Sequence, residues 1–338
     1  MAMLSIWGII FVVMGHSGFT NGIISERLSG LQKWIYSFHM PLFFFISGYL
    51  FSLTNKSLSN IQSGKFIKKK LKRLMIPYFV LGTIIFSIKY LFAGLASVER
   101  SFSIGSFFYM FFAPSAENST MGFLWYLITL FCIFCITLVL SKLHINLRNI
   151  SICLLLIAAT YLLNTIFPNV EVLNFSAVLH YMPFFLLGIC TQAYRFENAI
   201  NKFSTNTLIA NASIGGGIQI ALIASSDYLQ ISSGIRLVLT ACCGIWFSIC
   251  ICRLILLNTS LSKLILPFAP MVYTIYLLSW FGQYPVQITS INLLHLNWLL
   301  SFALIFIGGI VFPVLVYTLC RKLKSYKFYR IISFVIGL

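Results

Sequence analysis

Two histidines, His16 and His39, stand in stretches apolar enough to cross a bilayer. Around the second the chain reads Phe38-His39-Met40-Pro41-Leu42-Phe43-Phe44-Phe45-Ile46-Ser47-Gly48-Tyr49-Leu50. An ionisable ring in such a stretch is costly and usually faces a bundle interior or a wet cavity, so the pair marks a candidate functional site. The bland alternative is a ring that makes one structural hydrogen bond between helices. A desolvated imidazole is held neutral, the state that a general base needs, and a histidine can also act as a nucleophile. Pro41, two residues past His39, bends its helix and frees a backbone carbonyl near the ring.

The elements that carry these rings are membrane helices. The chain has 338 residues, of which 59% are hydrophobic and 9% charged, and a mean hydropathy of +0.95; these values exclude a soluble globular protein. Apolar runs of roughly 17–22 residues recur along it, the length a helix needs to cross a core of ~30 Å. They are apolar all round and lack the alternation of outer-membrane strands. The expected fold is therefore all-α and integral to the membrane, with about ten transmembrane helices in one bundle. The expected spans are 3–20, 34–54, 76–96, 122–141, 150–167, 178–194, 205–224, 233–252, 268–288 and 298–319. The intervals 55–75 and 97–121 are too short to bury cores of their own, so residues 1–338 read as one transmembrane domain.

Basic residues orient the bundle, because they collect in cytoplasmic loops. With both termini inside, Lys56, the run from Lys65 to Arg73, Lys142, Arg148, Arg195, Lys202, Arg253, Lys263 and the run from Arg321 to Arg330 are cytoplasmic. Only Arg27, Lys33, Arg100 and Arg236 then lie outside, with Lys89 in the third helix. Glu26, Glu99, Glu117, Glu171 and Asp227 also fall outside. The net charge of +17 follows from this bias and suits anionic lipid headgroups; no nucleic-acid partner is expected.

Other signals are weaker. Cys132-x-x-Cys135 has metal or redox spacing but no histidine or acid nearby, so packing is the expected role and no metal site is expected. Gly215-Gly216-Gly217 lacks the Lys-Ser/Thr of a phosphate loop and suits close helix packing. The first apolar run has no basic leader and continues into polar residues, so it reads as a spanning helix and not a cleavable signal. Counted from Met3 at the inner face, His16 rises ~20 Å, to roughly 10 Å below the outer face. His39, counted from Trp34 at the opposite side, lies ~7–8 Å below that face. The two rings are thus expected at similar depth on adjacent helices.

Several segments carry a resemblance. Val12-Val13-Met14-Gly15-His16, then Tyr36-Ser37-Phe38-His39-Met40-Pro41 continuing to Leu50, then Lys72-Arg73-Leu74-Met75-Ile76-Pro77-Tyr78 resemble the acyltransferase-3 family of integral-membrane acyltransferases, and its fucose 4-O-acetylase-like branch in particular. Leu124-Trp125-Tyr126-Leu127, Tyr181-Met182-Pro183-Phe184-Phe185-Leu186-Leu187-Gly188 and Thr274-Ile275-Tyr276-Leu277-Leu278 resemble later family segments in order. The resemblance implies a roughly ten-helix bacterial inner-membrane enzyme. It would move an acyl group, usually acetyl from acetyl-CoA, onto a hydroxyl of a surface glycan or its lipid-linked precursor.

In that reading His16 takes the proton of the attacking hydroxyl, and His39 orients reactants or stabilises the oxyanion. An acetyl-histidine on His16 is an equal alternative. Lys69, Lys70, Lys72 and Arg73 would hold the donor phosphates as well as anchor the inner face, with Arg73 favoured for its bidentate fork. Tyr49, Trp125 and Tyr276 are candidates for substrate contact. The chain departs from the family where it has Ala2 and Ser5 in place of an Asp and a basic residue, and Ser279 in place of a His. Either the chain starts short of its relatives or donor binding relies on other groups. Two competing readings are a transporter or flippase of a lipid-linked glycan, and an inactive relative.

Overall fold

A computed structural model describes residues 1–18, 22–55, 61–91, 103–114, 119, 121–225, 233–323, 333 and 335–336, with the backbone alone at 22, 23, 25 and 233. Lys56, Glu99, Arg100, Glu117, Asp227, Lys324, Lys327 and Arg330, used above for orientation, lie outside the described residues. The same holds for residues 19–20 of the first expected span and 92–96 of the third.

The described chain is helical. In order it forms α1 (Ala2–Gly15), α2 (Gly22–Arg27), α3 (Ser29–Thr54), α4 (Ser63–Lys70), α5 (Ile76–Leu91), α6 (Ile104–Phe112), α7 (Trp125–Lys142) and α8 (Ile150–Ile166). Then follow α9 (Phe175–Ala193), α10 (Phe196–Ile200), α11 (Thr205–Ala224), α12 (Ser233–Leu257), α13 (Thr259–Ile265), α14 (Val272–Gln287) and α15 (Trp298–Lys322). Among the described residues, 8 helices are long and apolar enough to span a membrane, and the shorter apolar α1 and α8 fill the first and fifth expected places. Local chemistry sets several boundaries. Asn149, Ser204 and Asn258 accept hydrogen bonds from the first-turn amides of α8, α11 and α13 and so satisfy donors that those helices leave orphaned.

Two elements differ from expectation. The interval before the third span is largely helix: α4 runs through a π-helical turn, Leu71–Met75, into α5, so the basic run is a membrane helix's own extension. Its residues from Lys65 to Met75 include no proline, and Pro77 follows closely on the π turn, where its missing N–H removes one bond from the ladder. The nine-residue α6 is an addition. It is too short to register as a span and is opened by a Ser103–Ser106 capping box.

The chain forms two compact units. The first comprises residues 1–46 and 195–319, and the second residues 47–194 and 320–338. In the first, α11 packs along α12, and α1 against α12 and α14. Edge-to-face rings of Trp7, Phe11, Trp34 and Phe38, with centroids 4.9–5.5 Å apart, fill the space between α1 and α3. Gly215 and Gly216 lie against Trp246 and Phe247, which is the close packing expected of that glycine run. In the second unit, α8 packs on α9, and α7 on α9 and the π turn. Phe51, Phe66, Phe134 and Phe185 form its aromatic cluster. There Arg148 donates to the Ser52 and Asn55 carbonyls (2.9 and 2.8 Å) and caps the end of α3, whose last carbonyls have no helical partner.

Candidate active site

Both histidines belong to the first unit, and small residues on α1 bring them together. A Cβ on Gly8 would stand 3.0 Å from the Phe43 ring, and one on Gly15 3.2 Å from both Ile35 and Tyr36. Glycine at both positions spares side-chain contacts tighter than ordinary packing and so favours close approach of the two antiparallel helices. The contacts also fix the register. Gly8 is level with Leu42 and Phe43, and Gly15 with Ile35 and Tyr36, so His39 is level with about Val12 and His16 with about Ile35. The two Cα positions are therefore offset by about four residues, ~6 Å along the axis, and because each side chain leans toward the N-terminal end of its own helix the rings come closer in depth than the backbones.

Tyr36 occupies the step between them. Its ring meets His16 edge-on at 6.2 Å and His39 at 5.0 Å, and its hydroxyl donates to the Gly15 carbonyl at 3.1 Å. The two imidazoles are close enough to interact electrostatically. His16 follows the last turn of α1 and is exposed, whereas His39 is 3% exposed. His39 Nδ1 lies 2.8 Å from the Ile35 carbonyl. A carbonyl can only accept, so Nδ1 carries the proton and Nε2 is left as an acceptor. A neutral His39 has no second N–H to offer an oxyanion, so of the two roles expected for it only orientation through an accepted hydrogen bond fits.

A polar frame that sequence reasoning missed holds this pair. Trp34 Nε1 donates to Gln219 Oε1 at 3.1 Å, Gln219 Nε2 donates to Ser37 Oγ at 2.9 Å, and Ser37 donates to the Trp34 carbonyl at 2.7 Å. This closed ring pins α3 to α11 one turn from His39. Gln283, from α14, donates to the Val13 carbonyl at 2.8 Å and to Ser17 Oγ at 3.1 Å. The available signal was an uncharged amide deep within an apolar helix, at 219 and again at 283. Tyr276, also in the first unit, is buried on α14 and stacks with Tyr273 at 6.4 Å. Ser279 and Gln283 extend its helix face at i+3 and i+7, and both are buried.

The other expected site residues belong to the second unit. Lys69, Lys72 and Arg73 are exposed, the latter two within the π turn, a distortion common at functional sites. Lys70 differs from its neighbours. Its ammonium stands 3.5 Å from the Phe134 ring centroid and 5.3 Å from that of Phe66, a cation–π seat that turns it inward. Arg73 lies close enough to Tyr126 for its charge to be felt, and the Tyr126 hydroxyl is 3.2 Å from Ser47 Oγ. Tyr49 is buried at 4% exposure, and Trp125 stacks on Tyr181 at 5.3 Å. Among the described residues no group of three or more metal-ligating side chains converges.

A family model described as an acyltransferase domain, Acyltransferase 3, matches residues 4–318. No curated protein and no solved structure matches the chain.

Proposed function

This chain belongs to the acyltransferase-3 family and is a multi-pass membrane acyltransferase, and from that premise we propose that it acetylates a hydroxyl of a bacterial surface polysaccharide or of its lipid-linked precursor. The likeness of its α3 segment to the fucose 4-O-acetylase-like branch supports a sugar acceptor. The donor in this reading is acetyl-CoA from the cytoplasm, with both termini of the chain on that side of the inner membrane. Lys69, Lys72 and Arg73 are exposed on one helical extension and suit its phosphates; Lys70, seated over Phe134, serves packing first.

The observation that carries the chemistry is the His16–Tyr36–His39 arrangement in an apolar unit. His16, exposed at the end of α1, takes the proton as the sugar oxygen attacks the thioester carbon. The carbon–oxygen bond forms, the carbon–sulfur bond breaks, and the CoA thiolate leaves and takes up the proton held by His16. His39, with its proton committed to Ile35, accepts a hydrogen bond through Nε2 and orients the reacting groups. Mass spectrometry of the surface glycans of cells with and without the gene tests this reading. Loss of acetyl groups from the glycan supports it, and identical glycans refute it.

A further inference from the structure

The last turn of α1 leaves carbonyls that its own helix cannot pair, and at Val13, buried at 0% exposure, the partner must come from the protein. The Ser17 amide, which would continue the helix by bonding to Val13, bonds to the Met14 carbonyl at 3.0 Å, and the His16 amide divides itself between Val12 and Val13 at 3.2 Å each. The Val13 carbonyl is completed by side chains. Ser17 Oγ donates to it at 2.7 Å and Gln283 Nε2 at 2.8 Å, while the second Gln283 N–H goes to Ser17 Oγ at 3.1 Å. All three members are buried, Ser17 at 0% and Gln283 at 3% exposure.

Glycines make this reach possible. Gly282 and Gly308 put the backbones of α14 and α15 in contact, and a Cβ on Gly309 would strike both Gln283 Cγ and Val13 Cγ1 at 2.7 Å. Gln283 therefore crosses to Val13 of α1 through a gap that α14 and α15 leave by meeting at glycines. The amide acts as a cap supplied from another helix. It closes the turn that ends at His16 and leaves no hydrogen-bonding freedom between Val13 and Ser17.

We infer that Gln283 is the positioning residue for His16: with Ser17 it fixes the end of α1, and with it the direction in which the imidazole is presented. The inference rests on the catalytic reading of His16. It explains why a carboxamide stands on the same face of α14 as Tyr276 and Ser279. An amide supplies two donors to two fixed acceptors without bringing in a charge.

The test uses Gln283→Met, which keeps the reach and loses both donors, in the full-length protein in detergent or nanodiscs. We expect kcat to fall by ~10–100-fold, the loss associated with a small misplacement of a catalytic group, with the KM for acetyl-CoA within about twofold of wild type. Amide hydrogen exchange across residues 12–17 should accelerate, and the rate of His16 modification by diethyl pyrocarbonate should change while that of His180, half-buried on α9 against the Tyr181 ring, does not. Ser17→Ala, a milder cut of the same clamp, should move every readout in the same direction and add little when combined with Gln283→Met. Unchanged exchange in Gln283→Met would overturn the clamp. Faster exchange with unchanged kcat would overturn positioning and leave a purely structural cap. Should Gln283→Met not accumulate, Ser17→Ala decides by the same two readouts. Retained activity in His16→Ala is a separate failure, that of the proposed base, and is read without any Gln283 variant.

Discussion

His39 has two nitrogens with different tasks, and two substitutions separate them. Asparagine places an amide N–H near the position of Nδ1, so His39→Asn can keep the bond to the Ile35 carbonyl but has nothing at Nε2. Glutamine reaches the position of Nε2 and gives up the Nδ1 bond. That bond spans 2.8 Å inside one helix, and its loss costs ~1 kcal/mol, too little to prevent insertion of a chain with this much apolar surface. Turnover should respond in the opposite order. Loss of a proton-handling or orienting group costs ~10²–10⁴-fold, and an orienting partner stands at the lower end. We expect His39→Asn to lower kcat ~100-fold, whereas His39→Gln, whose Oε1 can still accept, stays within about tenfold of wild type. The assay is transfer of labelled acetyl from acetyl-CoA in membranes at matched protein levels. Wild-type turnover in His39→Asn with none in His39→Gln would refute the argument, because it would make Nδ1 the nitrogen that matters.

The remaining predictions concern packing, donor and topology. Gly15→Val should separate α1 from α3, because even one Cβ there meets Ile35 and Tyr36 at 3.2 Å; overpacking of this kind costs ~1–3 kcal/mol, and turnover should fall ~10-fold or more while the protein still inserts. Full turnover in that variant would show that the α1–α3 register is not needed. Arg73→Ala should weaken acetyl-CoA binding more than Lys70→Ala, since Lys70 is occupied by Phe134, and Arg73→Lys should restore only part of it; equal losses at both positions would favour a general anchor. In a background without native cysteines, Glu26→Cys should label with an impermeant thiol reagent from outside intact cells, and Ser63→Cys only after the inner face is opened; labelling of Ser63→Cys from outside would invert the proposed topology.

What the sequence made legible follows from energies that a bilayer imposes locally. The cost of leaving backbone unpaired in hydrocarbon makes apolar runs of sufficient length into helices, and among the described residues ten such elements stand where the sequence has those runs, eight long and two short. The same cost made His16 and His39 conspicuous. What stayed hidden depends on rotation and on partners far along the chain. The register of α1 against α3 is set at Gly8 and Gly15, residues whose role is the absence of a side chain. Gln283 meets Val13 across 270 positions, and no local pattern in α14 names that partner. The basic run was read as a loop because charge masks its helical continuity; the inward turn of Lys70 onto Phe134 required knowledge of how α7 packs. The family resemblance carried the acyl-transfer reading, and the match over residues 4–318 establishes that much.

The central claim is that His16 handles the proton of acyl transfer, and one comparison addresses it most directly. Cells lacking the gene are complemented with wild type or His16→Ala at equal membrane protein levels, and the acetyl content of their surface glycans is measured by mass spectrometry. The account predicts that wild type restores acetylation and His16→Ala restores essentially none, with both proteins inserted alike, because a single neutral ring contributes little to the apolar energy of the bundle. Near-normal acetylation by His16→Ala would contradict it.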